Sequence, residues 1–129
     1  MELPEFAPGL NARVELTVTD ADTAQSLGSG DVPVLATPRV VALVEEATVA
    51  ATAAHLGAGQ CTVGTRVELD HLAPTPVGVR VVAEARLVTV DGRRLAFEVW
   101  LGDGATVAAR GRVDRVVVDR ERFLGKLGA

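Results

Sequence analysis

A single helical stretch, followed only by strands, limits what this chain can fold into more than any other feature of its sequence. The stretch begins at Thr37-Pro38, carries apolar residues at helical spacing, and ends before Gly57 and Gly59. Threonine is a common N-cap, proline suits the first helical position, and glycine ends helices, so both boundaries are marked. Because many of its apolar residues are alanines, another element can approach closely. The sequence therefore predicts one long helix with a sheet packed against it.

Alternating polar and apolar residues predict strands on both sides of this helix. Asp91-Gly92 favours a two-residue hairpin, and Gly102-Asp103-Gly104 favours a second tight connection. Strands joined by hairpins are antiparallel, so the predicted fold class is α+β, with a sheet of about five antiparallel strands and one long helix. We expect these strands at residues 12–19, 62–69, 79–90, 94–101 and 105–118.

The segments outside these elements are polar. Residues 20–31 are rich in Asp, Thr, Ser and Gly and predict a flexible loop that could act as a lid. Residues 119–129 are charged and predict a short helical turn that frays. Because a single helix covers only part of such a sheet, we expect two sheets to pair edge to edge in a dimer.

Length and composition argue against several classes of protein. The 129 residues suffice for one domain with its own core. Aromatic residues make up 3% of the chain and its net charge is −4, so we expect no nucleic-acid partner. A lone Cys61 and two separated histidines predict neither a disulfide nor a metal site. Without a signal-peptide pattern or a membrane-spanning apolar run, the expected location is cytoplasmic, with no membrane partner.

His71, one of only two histidines in the chain, ends the predicted strand that follows the helix. The next residues, Ala73-Pro74-Thr75-Pro76, form a rigid segment that fixes how the chain leaves the sheet. A neutral imidazole accepts a proton near neutral pH, so His71 is a candidate general base. The alternative is a surface histidine at a strand end. His55, in the last turn of the helix, is expected to be a cation that favours the helix C-terminus.

Thr37 and Glu45 lie on the helix and offer the hydroxyl and the carboxylate that activate a nucleophile together with a base. Glu45 and Glu46 fall on opposite edges of the buried stripe, so Glu45 can face a cleft and be partly desolvated. The alternatives are a simple helix cap for Thr37 and a solvated helix edge for Glu45. Gly64, in the middle of the next strand, permits close backbone approach to a ligand or forms a bulge.

Arginines are frequent along the last strand and the tail, where their planar side chains could hold phosphate groups. Acidic residues interleave with them, so the sequence favours a solvated edge whose charges neutralise each other. The arginines concerned are Arg110, Arg112, Arg115, Arg120 and Arg122.

Taken together, these motifs resemble the fluoroacetyl-CoA thioesterase-like family of hotdog-fold proteins. The resemblance rests on Ala36-Thr37-Pro38 with Glu45 eight residues after the threonine, on Val63-Gly64-Thr65, and on the run from His71 to Gly78. The hairpin at residues 90–95 is similar as well. The resemblance covers residues 10 to 124, which is nearly the whole chain.

The family implies an antiparallel sheet wrapped around a long central helix, and a homodimer with two active sites at its interface. It implies hydrolysis of an acyl-CoA thioester, without a cofactor, by a catalytic triad that corresponds here to Thr37, Glu45 and His71. His71 would be general base and acid, while Thr37 and Glu45 would orient or activate the attacking group, whether water or a side chain. Gly64 would bind the substrate through a backbone contact to the thioester carbonyl.

One departure concerns the lid. The fluoroacetyl-specific member of the family carries phenylalanines there that help to recognise the fluorinated acyl group, whereas residues 20–35 of this chain contain no aromatic residue. We therefore expect a thioesterase for small or medium acyl-CoA thioesters that is not selective for fluoroacetyl-CoA. The alternatives are a non-catalytic hotdog protein that binds acyl-CoA or another apolar ligand, and a hydratase or dehydratase on the same fold.

Overall fold

A five-stranded antiparallel sheet forms the larger part of the computed structural model, which describes residues 1–128. Its strands are β1 (Asn11–Thr17), β2 (Gln60–His71), β3 (Arg80–Asp91), β4 (Arg94–Gly102) and β5 (Val107–Asp119). They lie in the order β1-β3-β4-β5-β2, so β1 and β2 are the two edges of the sheet. The predicted α+β class, with hairpins β3–β4 and β4–β5 at its centre, is confirmed.

One long helix packs against the inner face of this sheet. It is α2 (Thr37–Thr52), and it continues as a 3-10 turn over Ala53–His55. Two shorter helices are α1 (Ala24–Leu27) and α3 (Arg120–Gly125). None of the described helices is long and apolar enough to cross a membrane. The buried stripe of α2, which packs mainly on β1 and β3, consists of Val40, Leu43, Val44, Ala47 and Ala51.

A β-bulge in β2 decides which of its side chains face the helix. β2 pairs with β5, and the register shifts between Gly64 and Arg66. Because directly paired residues share a face of the sheet, Thr62 and Gly64 lie on the inner face before the bulge, and His71 lies there after it. An unbroken alternation would have turned His71 to the outer face. The bulge, one of the two interpretations of Gly64, therefore brings Gly64 and His71 to the same side.

The segment before α2 is more ordered than the sequence predicted. Residues 20–31 contain a 3-10 turn (Asp20–Asp22) as well as α1, so the prediction of a flexible loop is wrong for most of this stretch. Asp22 is buried and accepts hydrogen bonds from the Thr19 amide at 2.8 Å and from Arg39 Nε at 2.9 Å. A carboxylate held from both sides fixes this pre-helix segment, residues 20–36, to the first turn of α2.

Candidate active site

Thr37 and His71 lie side by side, with Thr37 Oγ1 and His71 Nδ1 2.8 Å apart. Ala36 is the N-cap of α2 and Thr37 is its first residue, so the prediction that Thr37 caps the helix is wrong by one position. The Thr37 hydroxyl bonds to the imidazole instead. It can donate to the lone pair of Nδ1 when the ring proton is on Nε2. A general base is expected at this distance from the hydroxyl group that it activates.

The proline-rich segment after β2 holds this Thr37–His71 pair in place. The Leu35 amide donates to the Thr75 carbonyl at 2.8 Å, and Val34 forms a β-bridge with Pro76. These contacts tie the residues just before α2 to the residues just after β2. The start of the helix is therefore fixed against the end of the strand, which is where the two side chains meet.

The environment of His71 favours the neutral imidazole. The residue is half-buried, and burial lowers the pKa of His71 below its ordinary value of 6.5. Its Nε2 atom is buried and makes no hydrogen bond to any residue in 1–128. At neutral pH His71 is therefore available to accept a proton.

A cavity of about 310 Å³ opens beside the pair. Thr37 and His71 supply its polar groups together with Ser29, and the pre-helix segment forms one wall. Its other lining residues are small or aliphatic, and none is aromatic: Ala24, Gly30, Val32, Val34, Leu35, Leu72, Ala73 and Pro74. This size and lining suit a short apolar group next to the hydroxyl.

Glu45 does not contact the Thr37–His71 pair in the same chain. Eight helical residues separate it from Thr37, which corresponds to about 12 Å along the helix axis and about 80° around it. Instead, Glu45 Oε2 accepts a hydrogen bond from Arg115 Nη1 at 3.1 Å. The Arg115 side chain is 7% exposed and the Glu45 side chain 35% exposed. The structure therefore brings two of the three candidate catalytic residues together and leaves the third in a separate cluster.

Gly64 belongs to that second cluster. A Cβ atom built on Gly64 would lie 2.6 Å from Glu45 Oε2 and 3.3 Å from Arg115 Nη1, so the carboxylate occupies the space of the missing side chain. Arg115 also donates from Nε to Thr62 Oγ1 at 2.9 Å and from Nη2 to the Thr62 carbonyl at 3.0 Å. We call Glu45, Thr62, Gly64 and Arg115 the glutamate cluster.

The predictions from sequence do not single out Thr62, and they misplace Arg115. They place it on a solvated, self-neutralising edge, which is wrong for Arg115 because its side chain is buried. Arg112 does follow the prediction, since it is exposed and paired with Asp114 at 2.8 Å. The signal was the alternation of β5, in which Arg115 shares the inward phase of Val113 and Val117. A charge at such a position implies a buried partner.

The remaining candidates lie elsewhere. His55 is in the 3-10 turn at the far end of α2, where its ring centroid is 6.4 Å from that of Phe6. Within residues 1–128, no three His, Cys, Asp or Glu side chains are grouped so that they could hold a metal ion.

Comparison with known proteins gives one consistent family. A model of the family described as fluoroacetyl-CoA-specific thioesterase matches residues 18–121. The fluoroacetyl-CoA thioesterase of Streptantibioticus cattleyicolor is 38% identical over 94 residues, which are 73% of this chain and 68% of that protein.

Solved structures agree with this match over nearly the whole chain. A variant of the fluoroacetyl-CoA thioesterase, solved in complex with acetyl-CoA, is 30% identical with a TM-score of 0.89, and the match covers 95% of this chain and 96% of that one. A thioesterase superfamily member from Thermus thermophilus is 27% identical with a TM-score of 0.90, over 97% and 93% of the two chains.

Proposed function

Because this chain belongs to the family of fluoroacetyl-CoA-specific thioesterases, we propose that it hydrolyses the thioester bond of small acyl-CoA substrates. The observation that carries the proposal is the hydrogen-bonded hydroxyl–imidazole pair of Thr37 and His71 beside an apolar cavity. Burial keeps the pKa of His71 low, so the base is unprotonated at neutral pH. Relatives of known structure hold acetyl-CoA in one case and fluoroacetate with CoA in another, which supports the same ligand class here.

The proposed reaction begins when His71 accepts the proton of the attacking oxygen, which is either the Thr37 hydroxyl or a water bound to it. The oxygen adds to the thioester carbonyl carbon, and the resulting tetrahedral intermediate collapses with cleavage of the C–S bond. His71 then returns its proton to the departing CoA thiolate, which leaves as the free thiol. With water as nucleophile the acid is released at once, and with Thr37 a water cleaves the acyl-threonine in a second round. The amide of Gly64 from a second copy of the chain, which lies beside Glu45, is proposed to contact the thioester carbonyl.

We assign the third role to Glu45 of a second copy of the chain. Glu45 lies about 12 Å along α2 from the Thr37–His71 pair of its own chain, which is too far for contact. The free edge of β2 is a place where a second copy could pair. β2 is a 12-residue edge strand with one unpaired side, and its inward Val67 and Leu69 are only partly buried. Long edges of this kind are usually covered. A homodimer formed there would complete each site with the partner's carboxylate, which would orient or activate the attacking oxygen.

The lining of the cavity also bears on which acyl groups the enzyme can distinguish. Its wall from the pre-helix segment contains aliphatic and small residues, and residues 20–35 hold no aromatic side chain. Such a pocket has little with which to separate a fluorinated two-carbon group from a plain one. We therefore propose similar kcat/KM values for acetyl-CoA, propionyl-CoA and fluoroacetyl-CoA.

The test is the release of free thiol from acetyl-, propionyl-, butyryl-, hexanoyl- and fluoroacetyl-CoA by the purified protein. His71→Ala and Glu45→Gln should each lower kcat about 100- to 10,000-fold, as for the loss of an acid–base group. Thr37→Ser should keep part of the activity that Thr37→Val loses. His55→Ala, the matched histidine control, should match the wild type.

Two results would contradict the proposal. If the enzyme remains active after both Glu45 and His71 are replaced, the assignment of the triad is wrong. Tight binding of acyl-CoA in a calorimeter, without any release of thiol, would instead show a non-catalytic binding protein. Mass spectrometry of the quenched wild type separates the two routes, since an acyl group on Thr37 appears only with the side-chain nucleophile.

A further inference from the structure

Arg115 is a buried cation whose three hydrogen bonds all end in the glutamate cluster. We infer that Arg115 is a positioning residue that fixes the carboxylate of Glu45 for catalysis. The inference rests on the proposed function, in which Glu45 completes the site of the partner copy. It assigns to Arg115 no contact with the substrate.

The guanidinium group is anchored independently of Glu45. Two of its three hydrogen bonds go to Thr62, one to the hydroxyl and one to the backbone carbonyl. Thr62 lies on β2 two residues before Gly64, after which the bulge begins, and Arg115 is paired across the strands with Gly64. The cation is therefore held by the sheet, and Glu45, which comes from the helix, is drawn to a fixed point. Lysine could offer the charge but not this planar fork of donors.

The contact leaves half of the carboxylate free. Oε2 of Glu45 is bound to Arg115, whereas Oε1 makes no hydrogen bond within the described residues 1–128. The Glu45 side chain is 35% exposed, so this oxygen can be reached from outside the chain. Gly64 provides the room in which the carboxylate lies, because any side chain there would displace Oε2. Arg115 therefore holds Oε2 in place and leaves Oε1 free to contact a group outside the chain.

Stability alone does not explain this arrangement. Burying a guanidinium costs several kcal/mol, and a buried ion pair often contributes no more to stability than apolar residues of the same volume. Val113 and Val117 occupy the neighbouring inward positions of β5, so an apolar residue at 115 would continue the core. Besides Thr62, the one group in residues 1–128 to which this charge donates a hydrogen bond is the Glu45 carboxylate.

The experiment is a double-mutant cycle on the full-length protein, measured as kcat and KM with acetyl-CoA and accompanied by the melting temperature. The variants are Arg115→Met, Glu45→Gln and the double substitution. Arg112→Met, on the same strand but exposed on the outer face, is the matched control. Arg115→Lys is the conservative variant, which keeps the charge and loses the fork.

Arg115→Met should lower kcat about 100-fold with little change in KM, because a misplaced catalytic group costs rate rather than binding. In the Glu45→Gln background the same substitution should cost less than about twofold, since the group that it positions is already lost. Arg115→Lys should fall between the wild type and Arg115→Met. Arg112→Met should match the wild type.

The outcomes separate the two proposals. If Arg115→Met lowers kcat by the same factor in both backgrounds, or if it leaves kcat unchanged, the positioning role is overturned while the loss of activity in Glu45→Gln still supports the proposed function. If Glu45→Gln alone is fully active, the triad itself is wrong. Should Arg115→Met fail to fold, the cycle is run with Arg115→Lys, and a cost that persists in the Glu45→Gln background again rejects positioning.

Discussion

At the scale of single residues, two glycines on facing strands differ in what an added methyl group would meet. At Gly64 it would meet Glu45 Oε2, the end of a flexible side chain. At Gly111 it would overlap the backbone carbonyl of Glu68 on the paired strand. Neither glycine has a positive φ, so the backbone at both positions suits alanine. Alanine at position 64 would therefore displace the Glu45 carboxylate, whereas alanine at position 111 would disrupt the pairing of β2 with β5.

Gly64→Ala should consequently lose activity without losing stability. We expect kcat to fall at least about tenfold as the carboxylate is displaced, and the free energy of unfolding to change by less than about 1 kcal/mol. Gly111→Ala should cost more than about 2 kcal/mol because the backbone must move. Gly125→Ala, with open space around the new methyl group, is the control that should change neither quantity. If Gly64→Ala is as active as the wild type, Glu45 takes no part in the reaction.

The pH dependence of the reaction follows from His71. Burial lowers the pKa of His71, and the imidazole accepts a proton only in its neutral form. Activity should therefore fall as the pH drops through the pKa of His71, which forms the acid limb of log kcat/KM against pH. Activity that stays constant as the pH falls from about 8 to about 5 would contradict the role of His71 as the base.

At the scale of elements, the pre-helix segment and the helix share one carboxylate. Burial raises the pKa of Asp22, but hydrogen bonds from Thr19 and Arg39 lower it by more, so the net value lies below the ordinary 3.8. The charged form of Asp22 therefore stabilises the fold above pH 3.8, and this contribution is lost as the pH falls through the depressed pKa. The segment that forms a wall of the cavity depends on this contact.

Asp22→Asn should lower the free energy of unfolding by about 1–3 kcal/mol near neutral pH, since Arg39 and the Thr19 amide lose a charged acceptor. It should also raise KM, because the wall of the cavity is loosened. Denaturant unfolding at several pH values checks this, and the difference from the wild type should shrink in acid. Asp20→Asn, at an exposed position two residues away, is the control. An equal loss in both variants would show that the Asp22 carboxylate has no special part.

The elements that could be predicted from the sequence are those with local signals. The apolar spacing of α2, the Asp91-Gly92 hairpin and the alternation of the strands each lie within a short stretch, and all three are present. The order of residues 20–31 has local signals that the prediction passed over, since Thr19 and Asp22 form a capping box and Thr23 caps α1. Only the contact with Arg39 comes from outside that stretch.

The candidate site was predictable only in part. Thr37 and His71 could be placed near each other from the order of helix and strand. The bulge that turns His71 inward depends on the pairing of β2 with β5. The contact of Arg115 with Glu45 joins residues 70 positions apart in sequence. Such contacts are set by tertiary packing and leave no local pattern.

At the scale of the whole molecule, the free edge of β2 and the separated glutamate lead to the same conclusion. A single chain holds a hydroxyl–imidazole pair at one end of α2 and a carboxylate about 12 Å further along it. Each half of the proposed site is held in place by contacts within its own chain. A symmetric dimer would join each pair to the partner's carboxylate and give two equivalent sites.

The most direct test of this account is a heterodimer of two inactive variants. Glu45→Gln and His71→Ala chains are co-expressed with different affinity tags, purified through both tags in turn, and assayed for thiol release. If the partner supplies the glutamate, one of the two sites is intact and kcat per dimer should be about half of the wild-type value. If the heterodimer is as inactive as each parent, Glu45 and His71 do not act across two copies, and the composite site is contradicted.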